Sequence, residues 1–353
     1  MELKSKRLYY IDCLKGFATL LVVLGHIFDG YIRAGYFSRY RDVMSSGYNL
    51  IYSFHMALFF LISGFVYRKA YFTESGTVKN TLKKQTFNVL VIYLAFSILF
   101  GLFKIIMGRY TNSDTTLVDV LLIWVKPIYP YWYLYTLIFY YLIFRIKKLQ
   151  DLSPNLLIIV LAVIAIISNF IPDSIGRYFE LKHFLYYSFF FGFGYVIASK
   201  ELVYIRKSII IPTFLISICI LLIDRIGYTY EEFDKGLLLY NRKWNLLIAV
   251  GLSLMLFYLF KLLFSNGEHI HVKAMSFLGR YSLEIYVMHC IFTAGNRVIL
   301  SKIPIDNFYL NVATNTIISI AVPIAFSLLC KKLNIHKLIF RPVYYFSERR
   351  NQQ

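Results

Sequence analysis

The chain has 353 residues, of which 58% are hydrophobic and 16% charged, and its mean hydropathy is +0.59. That is far more apolar than a water-soluble domain, and no stretch is left long enough to fold as a second, soluble one. The formal net charge of +19 comes with no Lys/Arg stripe on a soluble motif, which argues against nucleic acid as a partner and for anionic membrane lipid.

The pattern predicts an all-α, polytopic membrane protein, a single domain over 1–353 with no soluble accessory domain. About ten transmembrane helices are expected, at roughly 10–28, 50–67, 86–107, 129–145, 155–171, 183–199, 208–223, 244–264, 281–298 and 309–330. The first apolar run has no small-residue cleavage site, so it is expected to remain as a span. The piece "LVDVLLIWV" at 117–125 is too short to cross and is expected at the interface or as a re-entrant segment. With "MELKSKR" in the cytoplasm, and charges near the span ends counted with the adjoining side, inner segments hold 23 Lys and Arg and outer loops 14, with Lys15 completing the 38. The positive-inside rule then puts both termini in the cytoplasm.

In chain order, the first span carries the first anomaly, "IDCLKGFATLLVVLGH". Lys15 and His26 are eleven residues apart, which places them on one helix face and ~16 Å apart along the axis. Two readings stand: Lys15 snorkels to the headgroups and His26 marks the helix end, or both face a wet cavity. The second span, "NLIYSFHMALFFLISGFVYRK", places His55 at a depth like that of His26. Ser63-Gly64 reads as close helix packing. The outer loop 224–244 gathers Tyr228, Tyr230 and Trp244 with Glu231, Glu232 and Asp234. Those residue types suit sugar hydroxyls, and equally a solvated loop with interfacial aromatics. His269 and His271 form an H-x-H with no further ligand nearby, and Cys13, Cys219, Cys290 and Cys330 have no paired spacing. They read as small apolar residues, so neither a disulfide framework nor a metal site is expected. The ninth span adds Glu284, spaced i, i+4 from Arg280 as in a structural salt bridge, and His289 deeper in.

Spans one, two and nine thus concentrate Lys15, His26, His55, Glu284 and His289. Chance would scatter ionisable residues, whereas one polar cavity would gather them. Such a cavity suits an enzyme. It also suits an exporter or flippase of a lipid-linked sugar, although no inverted repeat or pair of broken helices marks a secondary transporter.

The segments "IDCLKGFATLLVVLGH", "FHMALFFLISGFVY", "YWYLYTL" at 131–137 and "LGRYSLEIYVMH" at 278–289 resemble the acyltransferase family 3 membrane proteins. The likeness is nearest to sugar O-acetyltransferases of the fucose 4-O-acetylase type and runs from span one to span ten. It implies transfer of an acyl group, by resemblance acetyl, from cytoplasmic acyl-CoA (acetyl-CoA as donor substrate) to a hydroxyl of a cell-surface or lipid-linked polysaccharide sugar. The expected setting is the bacterial cytoplasmic membrane. The family's Arg, ten residues, His becomes Lys15, ten residues, His26. Lysine keeps the charge but lacks the bidentate fork. The family's basic cluster opening the third span corresponds to Lys83 and Lys84, with Ile92 where proline is usual. With no esterase-like soluble domain after the tenth span, transfer is expected to be completed within the membrane unit. On this reading His26 is the general base and His55 the next catalytic candidate. Lys15, Lys83 and Lys84 bind the donor. Tyr228, Tyr230, Trp244 and His289 bind the acceptor.

Overall fold

The computed structural model describes residues 8–73, 76–77, 79–108, 115–199, 207–226, 244–265, 270–302 and 307–350. Its long helices are α1 (Tyr9–Arg33), α2 (Arg41–Tyr71) and α3 (Lys79–Ile106), followed by the short α4 (Leu117–Leu121). Next come α5 (Trp132–Ile143), α6 (Lys147–Gln150), α7 (Pro154–Ser168), α8 (Asp173–Gly176), α9 (Leu181–Ser199) and α10 (Lys207–Ile226). The chain continues as α11 (Asn245–Phe264), α12 (Ile270–Arg280), α13 (Ser282–Leu300), α14 (Phe308–Lys332), α15 (His336–Phe340) and α16 (Pro342–Arg350). A two-residue hairpin pairs Phe72–Thr73 with Gly76–Thr77.

Each of the ten apolar windows holds a helix, and the protein is a multi-pass membrane protein. Among the described residues, five helices are long and apolar enough to cross by themselves: Tyr9–Arg33, Ser38–Ala70, Thr81–Ile106, Asn245–Phe264 and Phe308–Lys332. The outward faces of α3, α7 and α14 are apolar and uncovered, with Leu99, Ile159, Ile167 and Ile317 all more than half exposed. A soluble fold would bury such faces; here they meet lipid. The fourth window departs from its expected bounds. Only Trp132–Ile143 is helical there, ~18 Å of helix against ~30 Å of hydrocarbon. The chain reaches it through turns and a loop that follow α4.

The hub is α1, which packs against α2, α11, α12, α13 and α14. Its contact with α12 is a backbone-to-backbone approach. A Cβ at Gly279 would lie 1.7 Å from the Asp12 carbonyl oxygen, and one at Gly16 2.5 Å from that of Met275. The α2–α9 crossing repeats the device reciprocally: a Cβ at Gly64 would meet the Phe191 oxygen at 1.9 Å, and one at Gly194 the Leu61 oxygen at 1.9 Å. Small residues permit this approach, and in lipid the close packing itself holds the helices together. Ser63-Gly64 is thus a packing element, with the Ser63 hydroxyl bonded to Tyr133 OH at 2.6 Å.

A buried amide layer ties α1, α13 and α14. Tyr31 OH donates to Asn311 Oδ1 at 2.5 Å, and Asn315 Nδ2 donates to Tyr31 OH at 3.1 Å and to the Thr293 carbonyl at 3.4 Å. Asn296 Nδ2 donates to Asn315 Oδ1 at 3.3 Å. Glu284 departs from expectation. It is buried and pairs with His336 Nε2 at 3.0 Å, whereas the Arg280 guanidinium lies over the Phe277 ring at 5.3 Å. A helix neighbour brought in by α15 replaces the i, i+4 partner.

The Gly279 contact leaves no room for a side chain. Gly279→Ala is expected to lower stability in detergent by at least ~2 kcal/mol through overpacking, read as a drop in thermal midpoint. An unchanged midpoint would mean that α1 and α12 can separate freely.

Candidate active site

The site begins with the segment between Leu121 and Trp132. Irregular backbone at membrane depth must have its polar groups satisfied by protein. Here tyrosine hydroxyls do it. Tyr93 OH donates to the Ile123 carbonyl at 2.6 Å, Tyr135 OH to Trp124 at 2.7 Å, and Tyr286 OH to Pro130 at 2.5 Å. In return Tyr131 OH donates to the Val287 carbonyl at 2.7 Å. This last exchange clamps the segment to α13, and Tyr129 is thereby held against α1.

The clamp closes one wall of a cavity of about 450 Å³. Its walls come from α1, α2, α3, α9, α13 and the 127–132 segment. His26 and His55 both line it, and His289, fully buried, lies beside it. The rings of His26 and His289 are 4.8 Å apart, and Tyr129 lies 5.1 Å from His26. Tyr129 OH is 3.3 Å from His26 Nδ1 and 2.7 Å from Tyr52 OH, while the Tyr52 ring lies 4.6 Å from that of His55.

Two of the histidines have a defined tautomer when neutral. His55 Nδ1 is 2.7 Å from the Ile51 carbonyl, and His289 Nδ1 is 2.7 Å from that of Tyr286 and 3.1 Å from that of Ile285. A carbonyl oxygen only accepts, so each Nδ1 carries the proton and each Nε2 keeps its lone pair. His289 Nε2 faces Cys290 Sγ at 3.3 Å.

Charges and aromatic rings complete the lining. Lys104 enters from α3. At the α1 end, Asp29 pairs with Arg33 at 2.8 Å, and the buried Arg297 donates to the Gly30 carbonyl at 2.7 Å. On the α9 side, Glu180 and His183 are paired at 2.6 Å, and His183 stacks on Trp132 at 4.5 Å. Phe179 and Glu180 both have positive φ, 55° and 52°, a conformation that is uncommon outside glycine. The chain pays for the kink that brings Glu180 to the cavity.

The other sequence candidates lie elsewhere. Lys15 is half-buried outside the cavity lining, near enough to Asp12 for the two charges to interact. Lys83 is exposed and Lys84 half-buried at the start of α3, both outside the lining. Trp244 is exposed just before α11, also outside it. Tyr228, Tyr230 and His269 fall outside the described residues. Sequence reasoning missed Lys104 and Arg297. Both lie inside apolar windows, so the rule that singled out His55 applies to them. It also missed Tyr52 and Tyr129, which carry no charge to draw the eye.

The ligand-type atoms of His26, His289 and Cys290 lie within 4.8 Å of one another. Two ligand atoms on one tetrahedral zinc are about 3.4–3.6 Å apart, so at its widest the trio is more open than a closed zinc site. Removing one clamp bond tests the wall: Tyr286→Phe leaves the Pro130 carbonyl without its donor and is expected to cost ~1–3 kcal/mol, read as a lower thermal midpoint in detergent. No change would show that the clamp does not hold the segment.

The acyltransferase-domain family model matches residues 8–332. The chain therefore belongs to acyltransferase family 3 and is a membrane acyltransferase. No curated protein and no solved structure matches it.

Proposed function

We propose that this membrane acyltransferase takes an acyl group, acetyl by its sugar O-acetyltransferase likeness, from cytoplasmic acyl-CoA. The acceptor is a hydroxyl of a cell-surface or lipid-linked polysaccharide sugar, in the cytoplasmic membrane of a bacterium. The observation that carries the reading is the gathering of His26, His55 and His289 around one cavity, two of them with Nε2 lone pairs set by backbone carbonyls.

A sugar hydroxyl is a weak nucleophile at neutral pH and needs a base at hydrogen-bond reach. His26 takes that role. If its Nδ1–H donates to Tyr129 and Tyr129 OH donates to Tyr52, its Nε2 is left free to accept the hydroxyl proton. The oxyanion that forms on the acyl carbon needs donors or a cation. Of the cavity-lining cations, Arg33 pairs with Asp29 and Arg297 donates to the Gly30 carbonyl, and Lys104 takes this role. Lys15, ~16 Å away along α1, is too far to share that oxyanion. It serves the donor's phosphate or pantetheine path, with Lys83 and Lys84 nearer the cytoplasmic entrance. Trp132, Tyr187 and the Glu180–His183 pair offer the aromatic faces and carboxylate that suit an acceptor sugar.

Purified protein given acetyl-CoA and deacylated glycan should sustain catalytic turnover to free CoA only when the glycan is present. His26→Gln should lower that rate by about 10²–10⁴ while the protein still folds. Near-normal turnover in that variant would move the base to His55. Lys15→Ala should raise KM for acetyl-CoA more than for the acceptor, and Lys15→Arg should restore it. Equal loss on both substrates would make Lys15 a structural partner of Asp12.

A further inference from the structure

One nucleophile in the cavity has no part in the mechanism above. Cys290 lines the cavity wall, and its Sγ lies 3.3 Å from His289 Nε2. The third group of a nucleophile–base–orienter set is also present. The Tyr286 carbonyl, at 2.7 Å, holds the His289 Nδ1 proton and so aims the lone pair at the sulfur. The other cysteines lack this setting. None of Cys13, Cys219 and Cys330 lines the cavity, and the Cys13 thiol is spent on the Val272 carbonyl. Lys104 lines the same cavity and brings a cation that can stabilise an oxyanion formed at an acyl group on the sulfur. The His26 ring stands 4.8 Å from that of His289, so a group carried on the sulfur would lie next to the proposed base.

We propose that Cys290 is a covalent acyl carrier, with His289 as its base. In the first half-reaction the thiol proton moves to His289 Nε2 and Sγ attacks the thioester carbonyl of acyl-CoA. The acyl–S(Cys290) bond forms, the acyl–S(CoA) bond breaks, and His289 passes the proton to the departing CoA sulfur, so CoA leaves as its thiol. In the second, His26 takes the proton of the acceptor hydroxyl and the oxygen attacks the carrier's carbonyl. The ester bond forms, the bond to Cys290 breaks, and the proton taken by His26 passes to the cysteine sulfur, which restores the thiol and both neutral histidines. One thioester replaces another in the first step, and an oxygen ester replaces a thioester in the second, so no further reactant is needed. The relay lets donor and acceptor occupy the cavity in turn. That suits a 450 Å³ space reached by substrates from opposite sides of the membrane.

The relay rests on acyl-CoA being the donor, as proposed above, and its test needs no acceptor. Detergent-purified protein incubated with radiolabelled acetyl-CoA alone should hold label that neutral hydroxylamine releases and that maps to the Cys290 peptide. It should also exchange labelled CoA into acetyl-CoA. Cys290→Ala should lower the exchange by at least about 100-fold. Cys290→Ser, which keeps the cavity's shape, should trap the acyl group at position 290 as an oxygen ester resistant to neutral hydroxylamine. Two outcomes overturn the relay and leave the acyltransferase reading intact: acceptor-dependent transfer within threefold of wild type in Cys290→Ala, or label that maps to a histidine. If instead the wild type forms the hydroxylamine-sensitive adduct but no glycan ever receives the group, the carrier stands and the sugar acceptor falls.

Discussion

Backbone polar groups in the membrane interior must find partners inside the protein, and this site is built around a place where the chain tests that constraint. Between Leu121 and Trp132 the backbone leaves helical geometry. Hydroxyls of Tyr93, Tyr135 and Tyr286 then satisfy the carbonyls of Ile123, Trp124 and Pro130. Each unsatisfied group in hydrocarbon costs several kcal/mol, so the tyrosines are a condition for the break. The segment places Tyr129 beside His26, and Pro127, Tyr129 and Pro130 form part of the cavity wall.

The histidines depend on a second layer of the same physics. His55 and His289 each donate to a carbonyl within their own helix, three or four residues back. Their ring orientation is therefore set by the helices that carry them. Of those helices, α2 is placed by its reciprocal glycine crossing with α9 and α13 by the amide layer of Asn296, Asn311 and Asn315. The geometry at His26 is thus fixed from two ends of α1: backbone contact at Gly16, and the amide layer with Arg297 at Tyr31 and Gly30.

Much of this is legible in the residues, for identifiable reasons. Helical windows show because lipid demands long apolar runs, and His55 and His289 stand out because ionisable groups in such runs are rare. Ser63-Gly64 announces close packing by size alone. The tyrosine pairings stay hidden, because a hydroxyl at 286 meeting a carbonyl at 130 leaves no periodic trace among 31 tyrosines. Glu284 is instructive in the same way: local spacing favoured Arg280, and only the return of the chain through α15 brings His336 within 3.0 Å. Cys290 reads as a small apolar residue until its neighbour's tautomer is known. The sequence likeness anticipated the family that the match over 8–332 establishes.

The central claim is that the cavity performs acyl transfer to a glycan, as opposed to passing one across the membrane. Mass spectrometry of surface and lipid-linked glycans, from cells with and without the gene, tests it most directly. The account predicts an acyl ester, +42 mass units for acetyl (about, from replacing H by C₂H₃O under the proposed ester chemistry), that vanishes with the gene while glycan is still exported. Glycan that carries no gene-dependent ester, and whose export stops when the gene is lost, would contradict it.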